Sequence, residues 1–160
     1  MTVPTRQYME DALDEVKDYL DENFKRILTT VRTARKDKTT PNPGEISRGK
    51  SHINKFPKIE LLPERTLHEY GDESAPLTTP WLVHGIVLSI VHQSSNVEVV
   101  EETLLRYSET INKLQEEDDT FGSVFSWITL GEEDYSPMME SQEERKAMQV
   151  VLIPLLCRTL

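Results

Sequence analysis

From Met9 onward, apolar residues recur at steps of three and four: Met9, Leu13, Val16, Leu20, Phe24, Ile27, Val31 and Ala34. That spacing puts all of them on one face of a helix. Pro4 stands where a first helical residue tolerates its missing N–H, and no Gly or Pro interrupts Thr5 to Ala34. Acids crowd the first half of the run and Lys25, Arg26, Arg32 and Arg35 the last, as the helix dipole prefers. The pattern predicts one long amphipathic helix of roughly 45 Å, as long as a compact domain of this size.

The periodicity stops at Lys36. Lys36 to Lys55 is punctuated by Pro41, Asn42, Pro43, Gly44 and Gly49 and reads as a long mobile loop that a partner orders. Phe56, Ile59, Leu61 and Leu62 predict a short strand ended by Pro63. Trp81 to His92 predicts a second, with Leu82, Ile86, Leu88 and Ile90 on one side and Trp81, Val83, Val87 and Val91 on the other. A strand apolar on both faces needs covering on both, by helices on one side and by another element or subunit on the other. Ser94, Ser95 and Asn96 offer a helix cap, and Val100, Leu104, Tyr107, Ile111 and Leu114 keep a helical step until the acidic stop at Glu116 to Asp119. Val124 to Leu130 and Met148 to Leu156 predict two more strands around the acidic loop Gly131 to Glu144, with Pro154 marking an edge or a strand end. The expected fold is α+β in the order α-β-β-α-β-β. A roughly four-stranded, mainly antiparallel sheet carries the long N-terminal helix and the second helix on one face. It forms a single domain over 1–160, with a basic loop at 36–55 and an acidic hairpin loop at 131–146.

Composition adds that one such domain can stand alone. The chain has 160 residues, 18 Lys+Arg against 28 Asp+Glu, a net charge of −10 and one cysteine. At this length folding removes roughly 70% of the unfolded surface from water, so no staples are needed. Cys157 by itself excludes an intramolecular disulfide and a cysteine zinc site, which points to a reducing compartment. Met1 to Glu10 is too polar for a signal peptide, and the most apolar stretch, Trp81 to Val91, is about half of what a bilayer-crossing helix needs. The expectation is a soluble protein with no membrane partner. The charge is uneven, however: Lys25 to Lys58 holds ten Lys and Arg against Asp37 and Glu45 only. An acidic body with one basic insert suits phosphate contact, an acidic face of another copy, or plain solvation.

Candidate chemistry is sparse. His52, His68, His84 and His92 show no helical pairing for a metal, and His84 mid-strand on an apolar face reads as a hydrogen-bonded core histidine. Cys157 has no evident base and reads as a small hydrophobe. The runs Glu116 to Asp119 and Glu132 to Asp134 are solvated loop charges rather than buried catalytic acids. Gly44 to Lys50 (G-E-I-S-R-G-K) lacks the strand and helix that flank a phosphate loop. Phe121, Phe125, Trp127 and Tyr135 have no Lys or Arg between them to hold a nucleic-acid backbone. The reading is therefore no catalytic residue, no metal and no cofactor.

Taken in order, the chain resembles the tail terminators, or tail completion proteins, of long-tailed bacteriophages. The resemblance rests on the long N-terminal helix followed by a Pro-containing loop and the strand F-P-K-I-E-L (Phe56 to Leu61). It continues through W-L-V-H-G-I-V-L-S-I-V-H (Trp81 to His92), which leads into E-E-T-L-L-R-Y-S-E-T-I-N-K-L-Q-E-E-D (Glu101 to Asp118). Its third part is D-D-T-F-G-S-V-F-S-W-I-T-L (Asp118 to Leu130), followed by D-Y-S-P and a last apolar strand. The loop Lys36 to Lys55 and the segment Glu64 to Thr79 are longer than this pattern needs. The resemblance implies a non-enzymatic structural protein of the virion neck, assembled in the host bacterial cytoplasm. There it would form a homohexameric ring that caps the tail tube, stops tail polymerisation and joins tail to head. The implied partners are the tail tube protein, a head-closure or other neck protein, and a sheath protein if the tail is contractile. DNA would pass through the lumen without specific binding. A head-closure or adaptor neck protein is the nearest alternative, and a small nucleic-acid-binding regulator is the alternative of another class.

Candidate sites are accordingly interfaces. Arg35, Lys36, Lys38, Arg48 and Lys50 of the basic segment are expected to meet a neighbouring subunit or neck protein. Glu132, Glu133 and Asp134, at the tip of the final hairpin, are candidates for the complementary surface.

Overall fold

The computed structural model describes residues 7–71 and 79–160. They form two helices and a mixed seven-stranded sheet, in the order α1 (Met9–Arg35), β1 (Glu45–Arg48), β2 (Lys58–Glu69), β3 (Trp81–Ser94), α2 (Val97–Glu117), β4 (Phe125–Leu130), β5 (Asp134–Tyr135), β6 (Met139–Ser141) and β7 (Lys146–Thr159). The fold is α+β, as expected, with more strands than the four that the pattern predicts. Thr5 and Pro4 lie outside the described residues, as does 72–78 within the long segment after β2.

Strand order is β1-β2-β3-β7-β4, with β5 and β6 continuing the β4 side of β7. Only β1 and β2 run parallel; the other pairs are antiparallel. The register stacks Ile59, Ile90 and Val151 across the sheet, then Leu61, Leu88 and Ile153. These rows meet Val16, Leu20, Phe24 and Val31 of α1 and Leu104, Tyr107, Ile111 and Leu114 of α2 in one buried cluster. Both helices thus lie on the same face of the sheet. They run antiparallel, since Arg26 pairs with Glu117 at 2.7 Å and Arg35 with Glu109 at 3.1 Å. Phe24 and Tyr107 meet edge to face with centroids 5.0 Å apart, and truncating a side chain like Phe24 costs about 3–5 kcal/mol. Ala34, placed on the apolar face by its spacing, is exposed.

Three expectations need correction. The segment Lys36 to Lys55 contains β1, and it is tied down. Arg32 donates to the Thr40 carbonyl at 2.9 Å and to Asn42 Oδ1 at 2.9 Å, Tyr107 Oη donates to the Pro41 carbonyl at 2.8 Å, and Gly44 N donates to the Pro57 carbonyl at 2.7 Å. One apolar residue in four, Ile46, left β1 without a visible period. Pro63 does not end β2. Leu61 O accepts from Gly49 N on the β1 side, so Pro63, two residues on, turns its N–H-less nitrogen to the same side beyond the end of β1, and a bulge between Pro63 and Arg65 absorbs the irregularity. Pro154 is likewise mid-strand in β7. Its carbonyl accepts from Gly131 N at 2.8 Å, which puts its nitrogen in the gap where β4 has ended at Leu155 and β5 has not begun at Leu152. The edge is local.

The acidic loop also contains structure. β5 and β6 pair with β7 inside 131–146, and Ser136 N donates to the Val150 carbonyl at 2.9 Å.

Candidate interface

The basic residues do not form one free patch. Arg35 is spent on Glu109 of α2. Arg48 reaches back to Asp14 at 2.7 Å and Glu10 at 3.6 Å, tying β1 to α1. Lys36, Lys38 and Lys50 remain exposed. Lys36 is the C-cap of α1, at φ 54°, and its N–H donates to Thr33 O at 3.2 Å. Lys36 and Lys38 border an open cleft of about 750 Å³ together with Thr29, Arg32, Thr33 and Asp37. Asp37 organises this corner. Its carboxylate accepts from Thr39 N at 2.8 Å, Thr40 N at 3.2 Å and Thr40 Oγ1 at 2.6 Å, and meets Arg106 Nε at 3.1 Å. Burial pushes the Asp37 carboxyl up, but the hydrogen bonds from Thr40 and Thr39 outweigh it and hold the group well below the usual carboxylate range.

The acidic trio is split too. Glu132 and Asp134 are exposed, whereas Glu133 turns toward α2 and accepts from Ser108 Oγ, from Asn112 Nδ2 at 2.7 Å and from Tyr135 Oη at 3.2 Å. Glu133 pins the β4–β5 connection to α2, so it does not stand at a free hairpin tip. Of the eight candidate residues, Lys36, Lys38, Lys50, Glu132 and Asp134 face solvent without a side-chain ion pair among the described residues.

The histidines sit apart. His84 is buried and bonded to Thr66 Oγ1 at 2.9 Å and the Gln7 carbonyl at 3.1 Å, and burial lowers its pKa. His92 is buried with Nδ1 unpartnered, and burial pulls its pKa down to about 4. Cys157 is buried in the core cluster, and desolvation pushes its thiol up to about 12. A thiol held in that state is a poor nucleophile. Among the described residues no three His, Cys, Asp or Glu side chains stand together to hold a metal, and no helix is long and apolar enough to cross a membrane. Gly44 to Lys50 is β1 and its flanks, with no helix after it.

The sheet's second face is the larger feature. In the register it alternates with the core rows: Leu62, Val87 and Pro154 stand side by side, and Val91 stands beside Val150. Leu62, Val87, Val150, Pro154 and Leu156 are only half-buried and Leu152 is 38% exposed, although all lie in central strands. Both helices pack on the opposite side. At one end of this face Arg158 lies 4.0 Å over the Trp81 ring and 3.3 Å from Glu69, bridging β2, β3 and β7. The apolar residues on both sides of β3 announce this surface; in β7 the signal is hidden because M-Q-V-V-L-I-P-L-L is apolar at every step but Gln149, so neither face stands out. Trp127, Phe125 and Phe121 divide between the faces: Phe121 stacks on Tyr19 with centroids 4.2 Å apart, Phe125 joins the core, and Trp127 stands beside Arg158. The chain matches no protein-family model and no curated protein.

Proposed function

We propose that the chain is a structural protein of a bacteriophage neck, a ring-forming subunit that caps the tail tube, stops its polymerisation and joins tail to head, without catalysis. The observation that carries this reading is the open second face of the sheet. Central strands leave Leu62, Val87, Val150, Pro154 and Leu156 half-buried and Leu152 exposed, around a buried polar pair of Glu60 and Ser89, with both helices on the other side, and apolar residues grouped in that way on a sheet face mark a protein contact. A subunit whose partners are the neighbouring subunits and the tail tube needs such faces. The chain's order of elements and motifs supplies the phage setting. DNA is expected to pass the ring without specific binding, since Arg26, Arg35 and Arg48 of the basic insert are held in ion pairs within the chain.

Light scattering on the purified protein, alone, with isolated tail tubes and with a DNA fragment, tests the reading. The expected result is a hexamer, alone or on tube ends, indifferent to DNA. Leu152→Lys with Leu156→Lys on the open face should abolish the ring while circular dichroism shows a folded chain. A monomer that ignores tubes and releases DNA with salt would replace this reading by a nucleic-acid-binding regulator. Binding to portal rather than tube would replace it by a head-closure protein.

A further inference from the structure

The outward face of α1 carries a charge pattern that its inward packing does not explain. Asp11, Glu15, Asp18 and Glu22 and then Lys25, Thr29, Arg32 and Lys36 follow one another at steps of three and four. They form a single stripe opposite the buried Leu13, Val16, Leu20, Phe24, Ile27 and Val31. The stripe is acidic up to Glu22 and carries no acid from Lys25 on. The helix dipole favours this order of signs but acts mainly within the first and last turns, so it does not set a reversal at the helix centre.

Charges flanking the stripe are matched within the chain: Lys17 with Asp21, Arg26 with Glu117, Arg35 with Glu109, and Arg48 with Asp14. The stripe's own charges are not. Among the described residues Glu15, Asp18, Glu22, Lys25 and Lys36 form no ion pair, and Arg32 bonds only to neutral oxygens of Thr29, Thr40 and Asn42. Successive acids three or four apart also repel one another along the helix.

We propose that α1 pairs with α1 of a second copy, antiparallel, about a two-fold axis at the level of Asn23 and Phe24. The spacing is symmetric about that point. An antiparallel copy places Asp11 opposite Lys36, Glu15 opposite Arg32, Asp18 opposite Thr29 and Glu22 opposite Lys25, each pair twice. The cleft beside Lys36 and Lys38 receives the acidic first turns of the partner helix. Parallel pairing would instead set acid against acid. This contact is separate from the open sheet face and does not depend on the ring.

Exposed ion pairs are individually weak, so the dimer is expected to be of low affinity at low salt and to weaken at least about tenfold by 0.5 M salt. Sedimentation equilibrium of the full chain at both salts measures this, as a monomer–dimer equilibrium where the chain does not form a ring and as a doubling of the ring where it does. E15K/E22K makes the stripe largely basic and K25E/K36E makes it largely acidic; each alone should lose at least about tenfold in dimer affinity. An equimolar mixture of the two should dimerise again. Leu152→Lys, which disables the sheet face, should leave pairing intact. A wild-type monomer at low salt, variants that dimerise like wild type, a mixture no tighter than its components, or a dimer lost in Leu152→Lys would each overturn the proposal.

Discussion

Replacing Asp37 by Ala should unlock the turn that follows α1, and its cost can be worked from the geometry. The Asp37 side chain is 3% exposed and Arg106, its partner at 3.1 Å, is 15% exposed. Removing one member of a buried ion pair costs about 3–5 kcal/mol. Here Arg106 keeps a second partner, Glu102 at 3.1 Å, which places the loss near the lower bound. Thr39 N and Thr40 N lose their acceptor as well, but water reaches the first of them. A loss of about 3 kcal/mol lowers Tm by roughly 6–12 °C in a domain of this size. Calorimetry at neutral pH measures the shift. The pH dependence carries the same signature. Because the folded carboxyl lies below its unfolded value near 3.9, its contribution is complete above that value and is lost as pH falls through the folded one. The advantage of wild type over Asp37→Ala should therefore be flat from neutrality to about pH 5 and shrink below pH 4. A Tm drop below about 2 °C, or a difference that grows on acidification, would refute the argument that Asp37 holds this corner.

His92 gives the second acid-side expectation: its pKa falls from 6.5 to about 4 on burial, so stability is full above 6.5 and declines as pH falls toward 4. The decline amounts to about 2 kcal/mol by pH 5, and His92→Phe should flatten that arm of the denaturant-derived stability curve. Gly44→Ala tests the closure of the basic segment. An added Cβ would lie 2.7 Å from the backbone carbon and oxygen of Lys55, so overpacking should cost about 1–3 kcal/mol in urea unfolding. An unchanged midpoint would mean that the 44–57 closure yields freely.

The two helices, the central strand β3 and the last strand were legible because each carries enough periodic apolar residues to outweigh its punctuation. α1 spans 27 residues with a clean three-four step, and Asn96 caps α2 through Glu98 N at 2.9 Å where the serine-asparagine run announces it. Two things resisted reading. Local apolar content was too low to reveal β1, β5 and β6, which exist because long neighbours, β2 and β7, offer unpaired backbone to short segments. The prolines were over-read, since whether Pro63 or Pro154 stops a strand depends on which side its nitrogen faces and on whether a neighbour needs an N–H there.

The candidate residues divide in the same way. Chain chemistry alone determined that the protein is acidic with a basic insert, that both faces of β3 are apolar, and that α1 changes sign at its middle. Only the tertiary structure decided that Arg35, Arg48 and Glu133 are consumed in tying elements together while Lys36, Lys38 and Lys50 stay exposed. Both helices share one face of the sheet, as the sequence predicts, but only the structure decided which residues of the other face stay half-exposed. The reason is physical: hydrophobic period is a property of neighbours along the chain, whereas the pairing of a charge depends on which distant segment folding brings within about 4 Å.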